Sequence, residues 1–259
     1  MGVETSEKNV TSVAREEDAP PPSKKSQKQA DIGGGYASEI DLLESIGDLR
    51  PDFVFFQESP DGADSFGDET RGDAFAGHHY YDSGDCATLS RWPCEVLASK
   101  SAGPWDEPQM LPAEIEGRRG LLVNVRLMAP APILNPFDAR SREKLSQDNR
   151  SRRDHYPHLV ELIAATQSEH PIDHVIHAGD FNTDASAKSL NVIRKNLTDI
   201  WHARGTGWGG TATNEFPVAR IDHIYVKHLK PNSVRVIQSP LSDHLPVVAT
   251  LSLEFSTSE

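Results

Sequence analysis

Four apolar, strand-like runs in this chain begin or end at hard polar side chains, and that punctuation limits the folds open to it. Phe53-Val54-Phe55-Phe56 stops at Gln57-Glu58, and a second run ends in His177-Ala178-Gly179-Asp180-Phe181-Asn182. Ile221-Asp222-His223 and Ser242-Asp243-His244 adjoin the other two. A continuous apolar run of strand length is what a strand covered on both faces requires. Strands of that kind belong to layered folds in which helices cover packed sheets. With 259 residues the chain can build one large α/β domain or two small ones.

The remaining pattern supports one domain from about Ala37 to Phe255. Residues 1–36 are rich in Glu, Lys, Ser and Gln, contain Pro20-Pro21-Pro22 and end in Gly33-Gly34-Gly35, a composition expected to be disordered. Ile40, Leu42, Leu43, Ile46 and Leu49 recur at helical spacing, with Ser38 as a candidate N-cap and Pro51 as the stop. Strands are predicted at His79–Tyr81, Ala87–Ser90, Glu95–Ser99, Gly120–Leu127 and Asp173–Ala178, and closing strands at Ala219–Val226, Ser233–Gln238 and Pro246–Glu254. Asn135–Arg153 reads as a charged loop leading into a helix with His158, Leu159, Leu162, Ile163 and Thr166 on one face. A short helix is predicted over Ala185–Lys195.

Charge and cysteine content narrow the function. The net charge of −13 argues against non-specific attachment to DNA or anionic membranes. It leaves room for an acidic enzyme that meets a polyanion through a local basic patch and a bound cation. No apolar run is long enough to span a bilayer and no signal-peptide core is visible, so a cytoplasmic location is expected. Cys86 and Cys94, the only cysteines, flank a turn at Ser90-Arg91-Trp92-Pro93; two reduced cysteines are the favoured reading over a cross-hairpin disulfide.

Glu58 is a candidate metal ligand, because a carboxylate at a buried strand end is costly unless paired or bound to a cation. Asp180 and Asn182 are two apart and point the same way if the strand persists; one can orient or deprotonate a water and the other donate to a phosphoryl oxygen. An Asp-x-Asn string also makes Asx turns. An Asp from one strand can fix the tautomer of a His from another and strengthen it as a base. Trp208, set among Gly205, Gly207, Gly209 and Gly210, can stack a base or sugar, or simply pack in a surface loop. The arginines between 140 and 153 are diluted by acids, and His174 and His177, three apart on a strand, do not suit a zinc site.

Taken together and in order, Gln57-Glu58, Gly179-Asp180-Phe181-Asn182, Ile221-Asp222-His223 and Ser242-Asp243-His244 resemble the endonuclease/exonuclease/phosphatase superfamily with its DNase I-like fold. Ala87-Thr88-Leu89-Ser90-Arg91-Trp92-Pro93 and Leu122-Val123-Asn124-Val125-Arg126-Leu127 extend the resemblance. It implies a four-layer α/β/β/α sandwich of two mixed sheets flanked by helices, and a Mg²⁺- or Mn²⁺-dependent phosphodiesterase, nuclease or phosphatase. By that resemblance Glu58 and Asp243 serve the metal, and Asp180, Asn182, Asp222 and His244 are catalytic. Asn182 is expected by the resemblance to meet the substrate, a nucleic acid or a small phosphorylated molecule; Arg126 and Trp208 are further candidates for that contact from their own chemistry, and a monomer is expected.

Two departures stand out. The family's opening strand, which carries an Asn, has no match before Ser38; Asn9-Val10-Thr11-Ser12-Val13 is a poor substitute. Arg126 stands where a phosphate-contacting His is usual. A guanidinium can clamp a phosphate but cannot act as a general acid near neutral pH. The alternative to an enzyme is therefore an impaired relative that binds a phosphorylated ligand or a protein.

Overall fold

The computed structural model describes residues 9–10, 39–58, 73–83, 85–97, 108–129, 139–213 and 215–253. The strands are β1 (Asn9–Val10), β2 (Phe53–Gln57), β3 (His79–Ser83), β4 (Cys86–Ser90), β5 (Gln109–Ile115), β6 (Arg118–Arg126), β7 (His174–Asp180), β8 (Thr198–Asp199), β9 (Asp222–Lys227), β10 (Leu229–Val236) and β11 (Val247–Leu253). The helices are α1 (Glu39–Ile46), α2 (Ala139–Glu169), α3 (Asn191–Arg194) and α4 (Ile200–Arg204).

Hydrogen bonding groups the described strands as β1-β11-β10, β2-β4-β3 and β5-β6-β7-β9-β8. In the five-stranded sheet β6 and β7 run parallel and the other pairs antiparallel, so it is mixed. Side-chain alternation builds the layers. Phe53 of β2, Leu111 of β5, Leu122 of β6, Ile176 of β7, Val226 of β9, and Ala249 and Leu251 of β11 share one core between the sheets. Leu121, Val123, Val125, Val175 and Tyr225 turn to the opposite face and meet Tyr156, Leu159 and Ile163 of α2 and Ile193 of α3. Val54, Phe56, Ala87 and Leu89 face outward against Leu43 of α1. This is the expected α/β/β/α sandwich, with one sheet layer in two hydrogen-bonded pieces.

Several expectations need correction. The stretch read as a loop ahead of the long helix is itself helix from Ala139, because residues 139–156 contain neither Gly nor Pro to stop it. Strand β5 has no counterpart among the predicted strands, and Pro112 lies within it. It is tolerated there because β5 is an edge strand, and its outer side takes Glu95 N–H to Pro112 O at 2.8 Å and Leu97 N–H to Met110 O at 3.2 Å. Those bonds replace the strand expected at Glu95–Ser99; residues 98 and 99 lie outside the described residues. The helix expected over Ala185–Lys195 is a 3-10 turn, Lys188–Leu190, running into α3. Within the segment read as disordered, Asn9 and Val10 pair with Ser252 and Leu251 of β11. Residues 1–8 and 11–38, Ser38 among them, lie outside the described residues. Both cysteines are free, Cys86 buried and Cys94 half-buried.

Asn124 ties the two sheet layers together. Its buried amide donates to Phe56 O at 3.1 Å, Ala87 O at 2.9 Å and Thr88 Oγ1 at 3.2 Å, and accepts from Gln57 Nε2 at 2.7 Å. No apolar residue can satisfy these partners. Asn124→Leu is expected to lower stability by about 3 kcal/mol, since it strands several buried polar groups at once. Chemical denaturation checks this; a loss below about 0.5 kcal/mol would contradict the role.

Candidate active site

The site forms where β6, β7 and β9 end together. Arg126 is the register partner of Asp180, and Asp180 is the register partner of Asp222. Residues directly opposite on neighbouring strands share a face, so these three charged side chains stand in one row on the face that looks toward the other sheets. Gly179 makes the row possible. At φ +145 its backbone lies so close to β6 that a Cβ would collide with the Val125 carbonyl.

Asp180 closes the strand and anchors the turn after it. Its Oδ1 accepts from the Asn182 backbone N–H at 2.7 Å and its Oδ2 from Asn182 Nδ2 at 2.8 Å. Asn182 Nδ2 also donates to Leu127 O at 2.6 Å. The Asx turn and the proposed site are therefore the same object. Both amide hydrogens of Asn182 are engaged, one by Asp180 and one by Leu127 O. Asn182 at φ +46 and Glu58 at φ +58 adopt left-handed backbone uncommon outside glycine, and such residues cluster at functional sites.

His244, just ahead of β11, reaches across to Asp222; its Nδ1 lies 3.0 and 3.2 Å from the two carboxylate oxygens. Thr211 Oγ1 receives the backbone N–H groups of Ile221 and Asp222 at 3.2 and 3.3 Å, fixing the carboxylate's base. Ligand atoms of Asp180, Asp222 and His244 all lie within 4.8 Å of one another, a grouping that could hold a metal ion. Burial, and next the charge of Asp222, push the Asp180 carboxyl up to about 7. Burial alone would lower His244, but the hydrogen bond and charge of Asp222, aided by Asp180 and Asp243, outweigh it and raise the imidazole to about 9.

The other expected residues lie elsewhere. Glu58 is exposed and ion-paired through its carboxylate to Arg126 Nη2, while Arg126 Nη1 holds Asp85 Oδ2 at 2.9 Å. Asp243 is exposed and outside the three-residue group. Trp208 is 69% exposed, as are Phe216 (73%) and Val218 (56%) on the same loop, and its indole N–H bonds Val218 O. Trp201, by contrast, packs into the core. His223 turns away from Asp222 to the helix-covered face, bonds Thr183 O at 2.9 Å and is held down to about 4 by burial. Asp85 and Thr211 were not foreseen. The clue to Asp85 is physical: an arginine at the end of a central strand needs counter-charges.

His244 has its pKa raised in the folded state, so its pair with Asp222 stabilises the fold fully below about pH 6.5, and that contribution fades as pH rises through about 9. The loss should approach about 3 kcal/mol. Denaturant midpoints of the metal-free protein should fall across this window in wild type and much less in His244→Gln. Parallel curves would contradict the pairing.

Solved structures with this architecture share it at low identity. Truncated Caenorhabditis elegans TDP2 is 18% identical, with 82% of this chain and 90% of that chain covered and a TM-score of 0.55. An endonuclease/exonuclease/phosphatase from Bacteroides vulgatus is 18% identical, with 83% and 90% covered and a TM-score of 0.60. D. rerio TDP2, solved with a single-strand DNA product, is 16% identical, with 82% and 90% covered and a TM-score of 0.57. At these identities the likeness speaks to the fold, which is DNase I-like. No curated protein matches the chain. The sequence does match the profile of the Endonuclease/Exonuclease/phosphatase family over residues 29–244. That span takes in every residue of the site from Glu58 to His244, and the chain belongs to this family of phosphoester-cleaving hydrolases.

Proposed function

We propose that the chain is a divalent-metal-dependent hydrolase of phosphoester bonds, using Mg²⁺ or Mn²⁺. The observation that carries this reading is the pairing of an Asp222-backed His244 with a buried Asp180 whose carboxyl is poised near neutrality. The donor set suits a hard cation: carboxylate oxygens dominate it, and the repulsion between Asp180 and Asp222 is what a cation would relieve. Glu58 would hold the ion, with Asp243 as a further oxygen donor. Once bound, the cation would draw charge from the phosphoryl oxygens.

The chain's own groups account for the rest. His244, protonated at neutral pH, is a hydrogen-bond donor to phosphate through Nε2 rather than a base. Asp222 fixes the ring. Asp180, with a carboxyl near 7, is matched to accept a proton from water as the water oxygen bonds to phosphorus in line with the leaving group. Asn182 keeps Asp180 aimed, and an Asn182 that releases Leu127 O could also reach a phosphoryl oxygen. Arg126 offers a fork for the phosphate, and the exposed Trp208 a stacking surface for a base or sugar.

The pair between Arg126 and Glu58 supports a second reading, an impaired member that binds a phosphorylated ligand or a partner protein. Hydrolysis of bis(p-nitrophenyl) phosphate separates the two. The hydrolase should turn over with Mg²⁺ and stop on chelation. Asp180→Asn and His244→Gln should each lose roughly 10²- to 10³-fold in kcat/KM. A well-folded preparation without metal-dependent turnover would overturn the enzyme reading in favour of the binding one.

A further inference from the structure

Arg126 is placed to do more than bind phosphate. Its guanidinium joins two acidic residues from separate parts of the fold: Glu58 at the end of β2 and Asp85 in the turn before β4. It is largely covered, with 24% of its side chain exposed. Its Nε–H, fully buried, finds no hydrogen-bond partner among the described residues. The guanidinium is thus committed to Glu58 with one donor unsatisfied, at the head of the row that continues into Asp180 and Asp222.

We propose that Arg126 and the divalent cation compete for Glu58, and that an incoming phosphoester draws Arg126 off Glu58 and so admits the metal. This rests on the reading of Glu58 as a metal ligand. The physical argument is charge accounting. Two cations cannot both occupy the same carboxylate at close range without repulsion. A phosphate presents the planar oxygen pair that a guanidinium fork matches, and can replace the carboxylate as its partner. Metal and substrate then bind cooperatively, each strengthening the other by the same factor.

Mn²⁺ affinity measured by calorimetric titration tests this without any turnover. Arg126→Gln should bind Mn²⁺ about tenfold more tightly than wild type. Arg119→Gln, which removes the same charge seven residues back along β6, should leave the affinity unchanged. Glu58→Gln should weaken Mn²⁺ binding far more in the Arg126→Gln background than in wild type, because only there is the carboxylate free to serve the ion. In wild type, saturating dimethyl phosphate should tighten Mn²⁺ several-fold, and this coupling should be markedly smaller in Arg126→Gln, where only the direct attraction of cation for phosphate remains. The last comparison needs only the wild-type fold to be informative. Equal affinities in wild type and Arg126→Gln, or no effect of dimethyl phosphate on wild type, would overturn the competition while leaving the hydrolase reading intact. A failure of every form to bind Mn²⁺ would overturn both.

Discussion

The register of three adjacent strands is the constraint on which the site depends. Leu122, Ile176 and Val226 are partners across β6, β7 and β9, and all three are buried in the core between the sheets. Four residues further along β6 and β7, and four back along the antiparallel β9, the same register aligns Arg126, Asp180 and Asp222. Side chains two and four apart share a face, so the apolar row dictates where the charged row must point. A slip of one residue would turn both rows over together. Core burial therefore holds two carboxylates against each other at the sheet end. Burial first, and then the neighbouring charge of Asp222, raise the Asp180 carboxyl, while the bond to Asp222 and its charge raise His244 against its own burial.

The arrangement divides labour differently from a simple list of polar residues. Asp222 belongs to His244, and Asn182 belongs to Asp180. Each functional side chain has a partner that aims it, and each partner comes from a segment fixed by backbone bonds. Phe181 N–H to Ile221 O at 2.9 Å and Leu245 N–H to Thr211 O at 2.8 Å lock the turns that carry them. Arg126 is the exception. It ends a strand in the row but spends its charge on Glu58 and Asp85, the arrangement that motivates the proposed contest with a metal ion.

Much of this was legible in the sequence because strand ends are local events. Apolar runs that stop at Gln57-Glu58 and at Asp180, and one that starts after Asp222, announce both a buried strand and the polar residue delivered to its rim. The link between Asp222 and His244 could be anticipated from the chemistry of Asp and His. What escaped was decided at a distance. Strand β5 carries Pro112, which is tolerable only because the strand lies at a sheet edge, a fact of tertiary position. The Arg126 to Glu58 pair spans 68 residues, and nothing local to either announces it. The start of α2 was misread because a charged face was taken for a loop, although no residue there breaks a helix.

The central claim is that Asp180 and the Asp222-backed His244 act as one unit on a phosphoester. A double-mutant cycle on kcat/KM for bis(p-nitrophenyl) phosphate, with Asp180→Asn, His244→Gln and the pair combined, tests it most directly. Groups that act as a unit are strongly non-additive. The account predicts that the double variant loses little more than the worse single variant. Losses that multiply, each independent of the other, would contradict it.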